Sequence, residues 1–461
     1  MQPQTVIVGF QPHANARQRN IAHRRIDARV QRELRAVHAH VLHVPSEWDA
    51  CKQHYESLPH VRFVEPLYTY RSSYNANDPL FSTPYSTSHD GKQSQWFLRR
   101  VRAPQAWDLT RRIIDRTTIA ILDTGIDPHH PELADLIVGG ANFTSADFDD
   151  FRDESGHGTH AAGLAAALTD QRRGIACLAF NSTCLLPVKV LNGDGGGTNE
   201  QVANGILFAA DQGARIINVS LGGTEYSQLI QDAVRYAWRR GCVIIAAAGN
   251  SGSGAIEYPA GNNYALAVSA TNEADQRHAS SSFGLDIGVA APGHAILSTM
   301  PTYNCELTRK GGRRCYDALS GTSMSAPIVS ALAGMIAAQR PYLTNQQIVQ
   351  AIQRAAVPLG TDGQKLWTPE FGYGRIDAAR AVREQWVPAA TGSLYGQATN
   401  RDGCPRSGVT VSCRDARDRT RADGMFRLGP LPPGRHPILL DGQVVQHATV
   451  TPGCDTFVEL K

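Results

Sequence analysis

Three side chains of this 461-residue sequence have the types that acyl transfer needs. Asp123 ends the apolar run "TIAILD", His157 opens "HGTHAAG", and Ser323 lies in "GTSMSAP". A serine hydroxyl is a weak nucleophile at neutral pH. A neighbouring imidazole can take its proton, and a carboxylate behind the imidazole can fix its tautomer and stabilise its charge. Taken singly, each has an ordinary reading: an Asp in a turn, a core His, a Ser capping a helix. Joint chemistry requires elements that bring three distant pieces of chain together.

Residues 100 to 385 supply such elements. "TIAILDTG", "LLPVKVLN", "ARIINVSLGG" and "CVIIAAAGN" are strands read as continuous apolar runs. Continuous rather than alternating apolarity is what a parallel sheet covered on both faces requires. "HGTHAAGLAAAL", "NEQVANGILFAADQG" (closed by Gly213) and "YSQLIQDAVRYAWRRG" read as helices between them. The class is a doubly wound α/β domain, whose sites lie at the carboxyl ends of the strands. Pro327 is placed in the first turn of the helix after Ser323, where a missing N–H costs least.

Residues 4 to 72 read as a small α+β unit. "TVIVGF", "HVLHV" and "VRFVEPLYTY" are its strands; "ARVQRELRAV" and "SEWDACKQHYESL", the latter with a Ser cap, are its helices. Near residue 392 the texture changes to short strands split by Gly and Pro. That predicts a small all-β sandwich joined through "VPAATG". The expected domains are 1–73, 74–388 and 392–461.

The segments "DTGID", "HGTHAAG", "AAAGNSG" and "GTSMSAP" closely resemble the signatures of the subtilisin-like (subtilase, peptidase S8) serine peptidases. "NDPLF", "APQAWD", "SLGGT" and "VAAPG" point to the thermitase-like branch. The resemblance spans residues 74 to 385 and implies a serine endopeptidase with Asp123, His157 and Ser323 as its triad. It implies that Asn250 donates to the oxyanion of the tetrahedral intermediate, helped by the Ser323 N–H at the positive end of its helix. Gly195, Gly196 and Gly197 on one side, and Ser220, Leu221 and Gly222 on the other, match segments that hold an extended substrate. Ala247 and Gly249 flank the same groove. Glu257 falls near the floor of the pocket for the P1 side chain. Pointing inward it would favour basic residues; the default is broad specificity with apolar preference.

The resemblance further implies structural calcium, with Asp78, Glu132, Leu168, Gln171, Arg173 and Ile175 at the ligand positions. Carboxylate and carbonyl oxygens suit that ion. Here Gln stands where the family has Asn, and two arginines enter the loop. "SADFDDFRDE", with Asp147, Asp149, Asp150 and Asp153, is a second candidate. The front unit resembles an inhibitor-I9-type propeptide, cleaved between Ser73 and Tyr74 and acting as an intramolecular inhibitor. The tail resembles carboxypeptidase-regulatory-like sandwiches. An esterase with the same nucleophile and a silent binding scaffold stay open as rivals.

A net charge of +3 argues against a nucleic-acid surface. The basic patch "ARQRNIAHRRIDARVQRELR" reads as a solvated helix face. No apolar run reaches the ~18 residues of a membrane span. The N-terminus has no signal-peptide core, which leaves a cytoplasmic protein open beside the secreted or extracellular one expected; a monomer acting on protein or peptide substrates is expected. Nine cysteines leave at least one unpaired. Cys305 with Cys315, Cys177 with Cys184, and two of Cys404, Cys413 and Cys454 are candidate bridges, with the pairing open.

Overall fold

The computed structural model describes residues 4–461 except 46, 69–73, 89–90, 256, 361–366, 384–391, 415, 422 and 453–454. Ser46, Ser73, Cys454 and all but the last residue of "VPAATG" fall outside the described residues. The chain divides into two compact units, Met1–Ser72 and Ser73–Lys461.

The first unit is a four-stranded antiparallel sheet in the order Arg29–Leu34, Ala39–Val44, Gln4–Phe10, Val61–Pro66. Its helices are Ala16–Arg24, opened by an Asn15/Gln18 capping box, and Trp48–Glu56. Val6, Val8, Phe10, Leu42 and Tyr55 form its core. The stretch read as helical at "ARVQRELRAV" is instead the edge strand Arg29–Leu34, and the basic patch is part helix and part strand. Its Arg, Gln, Glu and Leu favour helix intrinsically. Pairing of Val30 with Leu42 and Leu34 with Ala39 overrides that weak preference.

The second unit is built on a seven-stranded parallel sheet. Its order is Ile287–Pro292, Ala265–Thr271, Val243–Ala247, Ile216–Val219, Thr117–Asp123, Thr183–Lys189, Ala141–Asn142. Helices His157–Ala166 and Thr322–Gln339 cover one face, with Ile119, Ile121, Ile328 and Leu332 in that core. Helices Asn199–Asp211 and Gln228–Arg239 cover the other, over Leu122, Val188, Ile206 and Val234. The chain leaves Thr117–Asp123 in one direction along the sheet and returns on its other side. Asp123 therefore ends the strand at the topological switch point, where the crevice of such sheets opens. Helix Thr322–Gln339 is buried almost throughout, and its small residues permit it: a Cβ on Gly334 would come within 2.6 Å of Thr183 Cγ2.

Seven further strands form two facing sheets. Gly392–Ala398 lies between Met425–Leu431 and Asp455–Leu460 in one. The other runs Ala416–Arg419, Thr410–Cys413, Gly434–Leu440, Gln443–Val450. Leu394, Phe426 and Leu428 from the first meet Val411, Ile438 and Val450 from the second in a shared core. This sandwich is seated on the α/β core. Phe457 packs against Trp238 and Tyr264, and the Gln353 amide bonds Asp455 in both directions (3.2 and 3.0 Å).

The proposed bridges do not form among the described residues: Cys51, Cys177, Cys184, Cys242, Cys305, Cys315, Cys404 and Cys413 are all free thiols. Cys305 is turned inward as the N-cap of Glu306–Arg309. The Cys177 thiol donates to the Leu164 carbonyl, and Cys184 lies 3.4 Å from Thr118 Oγ1. Among the described residues no helix is long and apolar enough to cross a membrane.

Candidate active site

An open cleft of about 920 Å³ lies over the carboxyl ends of the central strands. His157, Asn250 and Ser323 line it together with Gly195, Gly196, Gly197, Ser220, Leu221 and Gly222. Asp123 is fully buried beneath, and its Oδ1 lies 2.7 Å from His157 Nδ1. A carboxylate only accepts, so Nδ1 carries the proton and Nε2 of the neutral ring is a free base. Burial works against charge on His157. The Asp123 carboxylate, by charge and by hydrogen bond, and Asp153 behind it outweigh burial and lift the ring's pKa above its ordinary value.

The acidic loop does not gather its carboxylates around one point. Asp150 pairs with Arg152, at 2.8 Å for each of two contacts, and Asp147 accepts from the Asp149 N–H. Asp153 turns inward and is fully buried. Its Oδ1 accepts from Ser155 N (3.0 Å), Gly156 N (2.8 Å) and Thr124 Oγ1 (2.8 Å). Its Oδ2 accepts from Thr159 N (2.8 Å) and Thr159 Oγ1 (2.6 Å). It thus ties the turn that launches His157 to the turn that follows Asp123. The sequence signal was its place four residues before His157, hidden among three other aspartates.

Ser323 is the second residue of helix Thr322–Gln339, so its N–H is among the first four that lack an intrahelical carbonyl. Its hydroxyl donates to the Ser220 carbonyl at 3.2 Å, not to His157. Unliganded sites often hold such catalytic contacts open. Because the helix starts at Thr322, Pro327 lies in its second turn and not in its first. The missing N–H there would have bonded the carbonyl of Ser323. Ser220 Oγ fills that vacancy, donating to the Ser323 carbonyl at 3.0 Å.

Asn250 follows strand Val243–Ala247. Its Oδ1 accepts the Thr322 N–H at 2.9 Å, which assigns Nδ2 as the end free to donate. Thr322 also holds Gly249, accepting its N–H at 3.1 Å. Thr322 was not among the sequence candidates; its place between "G" and "S" of the serine motif was the available signal.

Glu257 is half-buried beside this wall. A Cβ on Gly222 would lie 2.6 Å from its Oε2, and one on Gly249 (φ +106°) would lie 1.9 Å from its Cδ. The carboxylate therefore occupies the slot between the two glycine-bearing segments, with Ser282 Oγ donating to it at 3.3 Å. Ala247 is buried at the end of its strand rather than exposed to the cleft.

The candidate calcium residues also come together. Asp78 and Glu132 are buried, 2% and 0% exposed, and burial raises the pKa of both, that of Glu132 to about 7. Asp78 accepts the N–H groups of Asp170 and Gln171; Glu132 accepts that of Ile175 and the Tyr316 hydroxyl. Among the described residues, the carbonyls of Leu168, Arg173 and Ile175 accept no hydrogen bond. Two crowded carboxylates and three free carbonyls are a hard-oxygen set that fits a divalent cation. Arg173 donates to the Pro131 carbonyl.

Residues 115–374 match the model of the subtilase family, and residues 2–66 match the model of the fervidolysin N-terminal prodomain. Thermitase of Thermoactinomyces vulgaris is 41% identical over 310 residues, 67% of this chain and 100% of that protein. The thermophilic serine proteinase of Bacillus sp. strain AK1 is 37% identical over 324 residues, 70% of this chain and 73% of that one. The structure of fervidolysin from Fervidobacterium pennivorans superposes with a TM-score of 0.59 at 22% identity, covering 100% of this chain and 78% of that one. Fold, matched segments and relatives agree: this chain belongs to the subtilase family and is a subtilisin-like serine endopeptidase.

Proposed function

We propose that the chain hydrolyses peptide bonds through Ser323, His157 and Asp123, on one observation: His157 is bonded to a buried carboxylate through Nδ1, in the same cleft as Ser323. Rotation about the Ser323 Cα–Cβ bond turns its hydroxyl from the Ser220 carbonyl toward the ring. As Oγ attacks the scissile carbonyl carbon, its proton passes to Nε2, and Asp123 stabilises the imidazolium. Asn250 Nδ2 and the Ser323 N–H receive the oxyanion. The amine leaves with the proton from His157. Water then attacks the acyl-serine with the same base and frees the carboxylic product.

The P1 preference follows Glu257, and here the apolar default gives way. A carboxylate between Gly222 and Gly249 meets the head group of a lysine or arginine and must be displaced by an apolar side chain. Calcium would be held by Asp78, Glu132 and Gln171 side chains and the carbonyls of Leu168, Arg173 and Ile175. Bound there, it supplies charge compensation for the two carboxylates and staples the chain near Asp78 to the loop after the His157 helix. The front unit acts as a self-cleaved inhibitor, released between Ser73 and Tyr74. A mature N-terminus outside residues 70–79 refutes that cleavage.

Labelling by a fluorophosphonate tests the triad, with Ser323→Ala as control. Wild type labels and digests casein, and the variant does neither. Absence of labelling favours a silent scaffold, and labelling with ester but not casein cleavage favours an esterase.

A further inference from the structure

Part of the cleft wall opposite Gly195–Gly197 has no side chain of its own. Gly222 and Gly223 are bare backbone, and something else must hold them. Gly223 exchanges both backbone hydrogen bonds with Tyr258, 2.9 Å from its own N–H and 2.8 Å to its carbonyl. Tyr258 and Tyr226 both line the cleft, ring edge to ring face with centroids 5.3 Å apart. The Tyr258 hydroxyl ends on the C-terminal sandwich, while the Tyr226 hydroxyl donates to Gln228 of helix Gln228–Arg239 at 2.9 Å and turns its lone pair to the sandwich. Tyr258 donates to the Asp423 carboxylate. The Tyr226 hydroxyl accepts the Gln397 amide at 3.0 Å, and the same amide donates to the Asp423 carbonyl at 2.7 Å. Asp423 is 3% exposed and Gln397 0%. Next to them Arg421 makes two bonds to Asp286 of the α/β domain, at 2.8 and 2.7 Å, and Tyr395 donates to the same carboxylate.

We propose that the C-terminal β-sandwich is part of the substrate-binding wall, with Asp423 and Gln397 as positioning residues for peptide recognition. The inference rests on the proposed reading of the cleft. A phenol bonded to a buried carboxylate is held by a charge-assisted bond, stronger than a neutral one. Tyr258 so held fixes Gly223 through its backbone and fixes Glu257, its neighbour in sequence. The wall that carries the peptide's main chain and the group that meets its P1 side chain are thus set from the sandwich. Asp423 touches neither substrate nor Ser323. Its contribution is to substrate binding, in ground state and transition state alike, and so it belongs in KM rather than kcat.

The test uses the full chain, with active sites titrated by fluorophosphonate and peptides carrying Lys, Arg, Leu or Phe at P1. Asp423→Ala and Gln397→Ala should raise KM about 5- to 15-fold, the loss of one or two hydrogen bonds, with kcat per titrated site changed less than about 2-fold. Asp423→Ala should also flatten discrimination among P1 residues. Asp423→Asn, whose oxygen keeps the Met425 N–H while its NH₂ donates to the Tyr258 hydroxyl oxygen, should restore most of the KM, and Tyr258→Phe should reproduce the defect. Gln353→Ala breaks a contact of the same interface outside the cleft and should lower stability with KM unchanged. Unchanged KM and P1 profile in Asp423→Ala, or an equal rise in Gln353→Ala, overturns the proposal. A wild type without titratable sites overturns the triad instead.

Discussion

Asp153→Asn probes how the site is held. All five groups bonded to the Asp153 carboxylate donate to it, three of them N–H groups that can only donate, and both hydroxyls already have a donor of their own. Thr124 Oγ1 already accepts the Gly158 N–H, and Thr159 Oγ1 the Asp127 N–H. The acid is therefore needed as a carboxylate, although burial favours its neutral form. Asparagine keeps one acceptor oxygen, enough for Ser155, Gly156 and Thr124. Its NH₂ then faces the N–H and O–H of Thr159, and two charge-assisted bonds are lost. At about 1.5–3 kcal/mol each, the substitution should cost about 3–6 kcal/mol, a large share of a domain's 5–15 kcal/mol. Urea unfolding in the Ser323→Ala background, where self-digestion is absent, measures this. The same change removes a negative charge that helps raise His157. Catalysis needs the neutral ring, so activity falls as pH drops through the His157 pKa. That limb of kcat/KM should lie above pH 6.5 in wild type and move to lower pH in Asp153→Asn. A stability loss below about 1 kcal/mol, or an acid limb that moves upward, would refute the assignment.

Three further outcomes follow. Glu257→Gln should cut kcat/KM for Lys and Arg at P1 by about 10- to 150-fold relative to Leu, the worth of a hydrogen bond to a charged group, as read from a peptide-library profile. EDTA should lower the unfolding free energy by about 2.7 kcal/mol when calcium had been present at 100 times its dissociation constant, and Glu132→Gln should abolish that difference. Ser220→Ala should lower kcat about 5- to 30-fold by leaving the Ser323 carbonyl without its donor, and adding Pro327→Ala should recover part of the loss by supplying an N–H from within the helix.

The α/β core was legible because its strands are buried on both faces. "TIAILD" and "VIIAA" carry their apolarity without a break, and their shortness and β-branched content mark them as strands rather than buried helix. Asp123, His157, Asn250 and Ser323 were picked out by motif context, and the structure gathers them at one cleft. What misled was pairing and burial, near or far in sequence, which residue types alone do not carry. Arg29–Leu34 has helix-forming residues and an exposed face, and only its pairing with Ala39–Val44 makes it a strand. Asp153 looked like its neighbours Asp147, Asp149 and Asp150 because burial is invisible along a chain. Cys305 and Cys315 flank a polar loop, yet the first thiol caps a helix. Glu257 could be placed near the cleft but not aimed until Gly222 and Gly249 closed around it.

The misplaced helix start after Ser323 carries the most consequence. With Thr322 as the first helical residue, Pro327 removes the one intrahelical bond that would satisfy the carbonyl of Ser323, the proposed nucleophile. A buried carbonyl must find another donor, and the donor is Ser220, on a segment that lines the cleft. Ser323 returns the bond through its own hydroxyl. Ser323 is thereby coupled to the cleft edge along which the proposed peptide substrate would lie. Beyond Gly223 that edge is bonded to Tyr258, and Tyr258 to Asp423 in another domain. A helix with Ala at 327 would close on itself and leave Ser220 free to turn away. Proline in this position, which costs a helix about 3 kcal/mol in isolation, is therefore consistent with a site whose parts are held by each other rather than by the helix alone.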